Sequence, residues 1–348
     1  MATPAATLAL SPTATFEELT GRMRAAGLLE PRRDYYAAKI ALNLALLAGC
    51  YAAVWRLGDS WWQLLVAAAL AAAFVQTGFI AHDTGHKQIS RAKRPAGILG
   101  MLHMNVLLGV AFGWWVNHHN RHHSNPNNLD LDPDTVRRPV IFDVDEMAVK
   151  GRSRMRRFII RFQSVMFFVL LGSEAYRVRM AGFKAARMGA LKWAKLELAL
   201  VAVHFVGYFT VLFLVLSPAR AVAFIVVHQV LFGLYLGAVF APNHKGMPVY
   251  RSEVQLDWLH RQVLTARNVH SSRFIDFAYG GLNYQIEHHL FPSMPRVNLR
   301  RARPIVKQYC AEHAIPYEEV PVWASYAAVA RFLGRVSRQA RVGAGVTP

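Results

Sequence analysis

Apolar residues along this chain fall in long blocks separated by short polar turns. Residues 40–57 form the first, interrupted chiefly by Asn43 and Arg56, and 61–80 the second, opening on Trp61 and Trp62. Only Gly58-Asp59-Ser60, a turn-forming tripeptide, stands between them. Residues 196–216 and 219–241 make a second pair across Ser217-Pro218. Each block is near the ~20 residues that a helix needs to cross a bilayer. The pattern predicts four membrane-spanning helices in two hairpins. Two weaker runs, 97–116 and 158–172, carry His103, Asn105, Arg161 and Gln163, and fit helices lying in the interface.

Composition agrees with a membrane protein. The 348 residues are 54% hydrophobic, with a mean hydropathy of +0.20, which leaves too little polar surface for an ordinary soluble fold. The formal charge of +19 could also signal nucleic-acid binding. Its distribution says otherwise: outside the four blocks and their two connecting turns lie 38 of the 40 Lys and Arg, and only Arg56 and Arg220 mark the turns. Such a bias puts both termini on the cytoplasmic side and needs no nucleic acid. Residues 1–34 are expected to be a cytoplasmic arm with a short helix starting at Phe16, and they lack the pattern of a signal peptide. Residues 35–315 form the working domain, and 316–348 a basic tail. Cys50 and Cys310 are too few for a disulfide framework.

The 15 histidines cluster. His82 and His86, four apart just beyond the second block, share one face of a helix. The second cluster holds His118, His119, His122 and His123, and the third, after Gln285 and Glu287, holds His288 and His289. All three fall on the same predicted side of the membrane. Neutral imidazole suits zinc, copper, iron and nickel, and a catalytic zinc normally takes three protein ligands. Leaving His118 aside, seven histidines exceed what one ion needs, so two ions with open positions account for them better. Redox iron fits a site facing a lipid-soluble substrate, and there is no His-Glu-x-x-His signature of a zinc protease.

The order His82-x-x-x-His86, His119-x-x-His122-His123 and Gln285-x-x-His288-His289 resembles the three histidine boxes of membrane fatty acid desaturases. The run from Asn283 to Pro292, the pair Trp114-Trp115 and the segment from Leu264 to Val269 are similar to the branch of front-end and related bacterial acyl-CoA desaturases. The resemblance covers roughly residues 35–310. It implies an all-α integral membrane fold capped on its cytoplasmic side by a di-iron site, in a bacterial inner membrane. The implied ligands are His82, His86, His119, His122, His123, His288 and His289, with His244, just after the fourth block, as the further histidine such enzymes use. Gln285 replaces a histidine of other branches and is expected to ligate weakly or through water, and Asn268 through water. Asp83 and Glu287 are expected to orient the neighbouring ligands. His118 stands outside the pattern. His103, His204, His228, His260, His270 and His313 read as structural or surface groups, with His204 and His228 hydrogen-bonded inside the bundle.

The resemblance further implies an O2-dependent, two-electron insertion of a cis double bond into a fatty acyl chain, carried on coenzyme A or in a lipid. A fused cytochrome-b5-type domain would show His-Pro-Gly-Gly, and a dinucleotide site Gly-x-Gly-x-x-Gly; neither motif occurs in the sequence. Electrons are therefore expected from a separate acidic carrier, ferredoxin or similar, fed by an NAD(P)H reductase and docking on the basic face. A lipid hydroxylase or ketolase with the same iron chemistry is the nearest alternative, and a metal transporter or haem-binding bundle a more distant one.

Overall fold

The four apolar blocks are the four longest apolar helices of the structure, a computed structural model that describes residues 15–136, 139–147 and 153–343. Helix α1 (Phe16–Ala25) is capped by Thr15, whose side chain accepts from the Glu18 N–H. The first two long helices are α2 (Arg33–Leu57) and α3 (Gln63–Gly85). Gln63 fastens the turn between them by donating to the carbonyls of Val54 and Gly58, each at 2.8 Å. Deeper in the pair, Asn43 donates to Thr77 Oγ1 at 2.8 Å with both side chains buried.

Helix α4 (Lys93–Met101) runs into a π-helical turn (Leu102–Val106), and α5 (Phe112–Ser124) follows after a short loop. Beyond the single turn α6 (Pro133–Val136) come α7 (Arg154–Arg161), α8 (Gln163–Leu171) and α9 (Glu174–Arg187). The lengths of α4, α7, α8 and α9 fall short of a crossing, in keeping with the interfacial reading of the weaker apolar runs.

The remaining long helices are α10 (Ala194–Val215) and α11 (Pro218–His244). In α10 only Glu197, His204, Tyr208 and Leu212 are buried, at spacings that make one stripe, while Val203, Val206 and Leu214 are well exposed. A helix that turns its polar groups inward and its apolar ones outward is built for lipid. Although a minimal turn joins α10 to α11, the main partner of α11 is α3, with α9 and α8 on its flanks. Gly233 and Gly237 allow that close approach: a Cβ at Gly233 would lie 2.7 Å from the Gly172 carbonyl oxygen, and one at Gly237 2.7 Å from Leu171 Cδ2.

The chain closes with α12 (Trp258–Leu264), β1 (Asn268–Val269), α13 (Arg273–Ala278), α14 (Gln285–Leu290), α15 (Arg296–Glu312), β2 (Glu319–Val320) and α16 (Val322–Gly343). The two strands pair in parallel, Asn268 opposite Glu319. Helix α16, read from sequence only as a basic tail, is ordered because one face is apolar. Val329 and Leu333 pack with Phe142, Phe167 and Leu171, and Val336 and Ala340 with Ile141 and Ile160. Gln163 ties it down by donating to the Leu333 carbonyl at 2.9 Å.

Gly233→Ala is expected to separate α11 from the end of α8 and to destabilise the protein by about 1–3 kcal/mol. Thermal unfolding in detergent should show a lower midpoint, and an unchanged midpoint would mean that the helices do not need this contact.

Candidate metal centre

Four helices bring the histidines together. His82 lies in the last turn of α3 and His86 at its C-cap. His119, His122 and His123 sit on α5, His244 ends α11, and His288 and His289 lie on α14. All eight are buried. The π-helical turn and the start of α10 aim α5: the Asn105 side chain accepts the Phe112 N–H at 3.2 Å, and buried Glu197 accepts the Gly113 N–H at 2.9 Å. A carboxylate at this helix start satisfies an otherwise orphaned donor and the helix dipole together. Glycine is required at 113, because a Cβ there would lie 2.4 Å from Glu197 Oε1.

The ring nitrogens converge in two groups. His82, His86, His119 and His288 offer one set and His122, His244 and His289 another, each with its ligand atoms within 4.8 Å of one another. His123 lies between them, its ring centre 4.5 Å from that of His86 and 4.1 Å from that of His289. His119 Nε2 faces His123 Nε2 at 3.1 Å, and His122 Nε2 faces His244 Nε2 at 3.3 Å. Among the described residues, Nε2 of His82, His86 and His289 and both ring nitrogens of His288 have no hydrogen-bond partner although buried. Orphaned lone pairs of this kind are uncommon in a packed interior. A cluster of nitrogens directed at shared space, without thiolates, suits borderline metals such as iron or zinc.

Outward-facing nitrogens are tethered, which fixes each ring's orientation. His82 Nδ1 lies 3.1 Å from Asp83 Oδ1, and Asp83 is itself paired with Arg296 at 2.6 Å. His122 Nδ1 lies 3.1 Å from both oxygens of Asp132. His244 Nδ1 meets the Thr265 carbonyl at 3.0 Å, and His289 Nδ1 meets Gln262 Oε1 at 2.9 Å. Gln262 also donates to the His123 carbonyl at 3.1 Å, so α12 grips α5 and α14 at once. Asn127, in a left-handed conformation with φ of 58°, sends its N–H to Asp132 and its amide to the His244 carbonyl, both at 2.9 Å.

Asp83 thus lies within hydrogen-bond reach of the neighbouring ligand candidate His82. Glu287 does not touch a histidine: it accepts from Asn268 at 2.7 Å and from the Tyr317 hydroxyl at 2.7 Å. Burial pushes its pKa up to about 7, partly offset by these two donors. Asn268 is engaged on both sides, since its oxygen also accepts the Ile286 N–H at 2.9 Å. It braces α14 against the segment holding Tyr317, a different task from the water-mediated contact expected of it. Gln285 does reach the second group, with Nε2 2.9 Å from His244 Nε2. His118 lies apart, 3.2 Å from Asp134.

Sequence reasoning passed over Asp132, Asp134, Gln262 and Arg296. The signal for the first two was the alternation Asp130-x-Asp132-x-Asp134 soon after the second cluster. Gln262 and Arg296 carry no local signal. Burial, and then the neighbouring imidazoles, hold His86, His119, His123, His288 and His289 well below the usual histidine pKa. His122 is the exception: burial lowers it, but Asp132 and Asp134 more than compensate and raise it. Neutral rings are what metal binding needs, and Asp132 accepting from Nδ1 leaves the His122 Nε2 lone pair free for the centre.

Asp132→Ala is expected to release His122 and to lower metal affinity about 10–100-fold. Metal content after dialysis against a graded chelator checks this, and wild-type retention would show that the tether is dispensable. Asp132→Asn, which keeps an oxygen acceptor, should lose less.

Residues 59–321 match the family model described as fatty acid desaturase. The chain is 29% identical over 340 residues to an acyl-lipid (9-3)-desaturase of Physcomitrium patens, covering 93% of this chain and 63% of that protein. It is 30% identical over 319 residues to the Delta(6)-fatty-acid desaturase of Caenorhabditis elegans, covering 87% and 70%. It is 30% identical over 304 residues to fatty acid desaturase 3 of Bos taurus, covering 84% and 66%. The chain therefore spans between 63% and 70% of the length of these relatives. With the matched region running from the turn before α3 to the start of α16, and taking in every histidine of the nest, this chain belongs to the fatty acid desaturase family.

Proposed function

We propose that the chain is an O2-dependent fatty acyl desaturase of the branch whose third box opens on glutamine, with a pair of iron ions in the histidine nest. The observation that carries this reading is the convergence of eight buried imidazoles, with unpartnered nitrogens, beside an apolar cavity. His82, His86, His119 and His288 would hold one ion and His122, His244 and His289 the other, with His123 between them and Gln285 beside His244. When bound, the irons would supply the oxidising power that removes two hydrogens from adjacent methylenes as O2 is reduced to water.

The protein's share is to bind, orient and exclude water. The cavity encloses about 1180 Å³, its open mouth included, and runs from the histidines past Trp114 and Trp115 to Met104, Leu108 and Phe232. Trp115 stacks on His119 with ring centres 4.5 Å apart and so separates that ligand from the lipid side. Glu174 and Arg177, an ion pair, supply a polar part of the same cavity's lining and suit the head of an acyl chain whose tail lies among the spans. The ester of a membrane lipid and the thioester of an acyl carrier are both compatible with that polar end. On the predicted topology the histidine boxes fall on the side that carries 38 of the 40 Lys and Arg, which supports a cytoplasmic active face and docking of an acidic electron carrier, ferredoxin or similar, with its NAD(P)H reductase.

The test is expression in a host with a simple lipid profile, with ferredoxin and reductase supplied, beside a His288→Ala His289→Ala double variant. Gas chromatography–mass spectrometry with double-bond localisation should find a new unsaturated acid that is absent from the variant. A hydroxy acid in its place would make the chain a hydroxylase, and no new product with full iron loading would end the fatty acyl reading.

A further inference from the structure

A second, smaller pocket opens on the opposite side of α3 from the acyl cavity. Gln76 and Ile80 line it, whereas Gly78 and His82 line the cavity, and residues two apart on a helix point nearly opposite ways. The pocket encloses about 270 Å³, its open mouth included, and its other walls are Lys39, Leu42, Asn43 and Leu46 of α2, with Phe277 and Arg296. Lys39 directly precedes the apolar block 40–57, and Ile80 ends the block 61–80. Both boundaries put the pocket at the level of the lipid headgroups.

Its rim is apolar and its floor polar. Leu42, Leu46 and Phe277 are well exposed. Lys39 Nζ lies 5.3 Å from the centre of the Phe277 ring and 5.9 Å from that of Tyr35, and makes no ion pair among the described residues. Buried Asn43 spends its Nδ2 on Thr77, and its Oδ1 has no hydrogen-bond partner. Arg296, also buried, meets Asp83 with its Nε at 2.6 Å, and Asp83 lies against His82 Nδ1. Two cations thus share one shallow pocket, and the single carboxylate near them is already engaged behind the histidine. An anion seated between them would offset the repulsion of like charges.

We infer that this pocket seats the phosphate of an anionic glycerophospholipid between Lys39 and Arg296, and that the seated lipid steadies the ion pair behind His82. A phosphate accepts charge-assisted hydrogen bonds from both side chains, while its acyl chains lie along Leu42 and Leu46. The unpartnered Asn43 oxygen suits a hydroxyl of a glycerol headgroup. A zwitterionic lipid, with no net charge, would leave the excess of positive charge in place. Lipid binding stands on the pocket alone, whereas its effect on His82 rests on the metal-centre reading above.

The test reconstitutes the full-length, iron-loaded protein in phosphatidylcholine vesicles, alone or with added phosphatidylglycerol or phosphatidylethanolamine. Two quantities are read: phospholipid still bound after extraction into detergent, by mass spectrometry, and the rate of iron loss to a chelator. The wild type should retain phosphatidylglycerol and lose iron more slowly in its presence. Lys39→Gln should weaken that retention roughly fivefold, the worth of about one lysine near an anionic headgroup, and Lys39→Arg should keep it. Leu42→Trp, which fills the mouth without changing charge, should also release the lipid, whereas Lys93→Gln, at an exposed cation elsewhere, should not. Unchanged retention in both Lys39→Gln and Leu42→Trp would overturn the pocket as a lipid site. Equal retention of phosphatidylethanolamine, or equal slowing of iron loss by free glycerol 3-phosphate, would overturn an anionic lipid as its occupant. Retention that follows the variants while iron loss does not would overturn the link to His82. A protein that takes up no iron yet retains lipid as expected would keep the pocket and end the metal-centre reading.

Discussion

Eight imidazoles packed ring against ring at the ends of membrane helices cannot all carry a charge in that volume. Neighbouring ring centres lie 4.1 to 4.9 Å apart across most of the nest. Two protonated rings at that distance would repel by about 4 kcal/mol even at an effective dielectric of about 20, and burial adds a desolvation penalty for each. Directed lone pairs meet the same demand, because a neutral ring that donates from one nitrogen presents the other as a ligand. The acceptors behind the nest follow from this. Asp83, Asp132, the Thr265 carbonyl and Gln262 each take the outward nitrogen and leave the inward one directed into the nest.

The helices serve that geometry. Helices α3 and α11 pack closely, so their C-terminal ends deliver His82, His86 and His244 to one level. Helix α5 is too polar to cross a bilayer and is aimed by Glu197, a carboxylate supplied by the first turn of a spanning helix. The third box is clamped between α12 and the Asn268–Glu287–Tyr317 cluster, which couples α14 to the segment leading into α16. Ligand candidates distant in sequence are thus fixed by short polar contacts, while the apolar faces of the spans are left to lipid and to the cavity.

Much of this was legible because its signals are local. Runs of apolar residues mark the spans, since each must bury every backbone polar group within itself. Paired histidines mark the boxes, since residues three or four apart on a helix share one face. His244 was singled out by its position three residues past the predicted span 219–241. What sequence did not disclose depends on contacts between distant segments: Gln262 under His289, Arg296 behind Asp83, and Glu197 beneath α5. The tail 316–348 read as polar and basic because α16 is apolar on one face only, and that face finds its partner in α7 and α8, far away in sequence. Glu287 was assigned to the centre by adjacency to His288, but adjacent residues on a short helix face different ways.

The central claim is that the nest holds iron in two distinct places. Iron content and Mössbauer spectra of the purified protein, beside His86→Ala and His244→Ala, test it most directly, because each variant removes a ligand from only one of the two groups. The account predicts a pair of irons per chain in the wild type, and in each variant a loss of iron with a different spectral component surviving. A single ion per chain, or undiminished iron with an unaltered spectrum in His244→Ala, would contradict it.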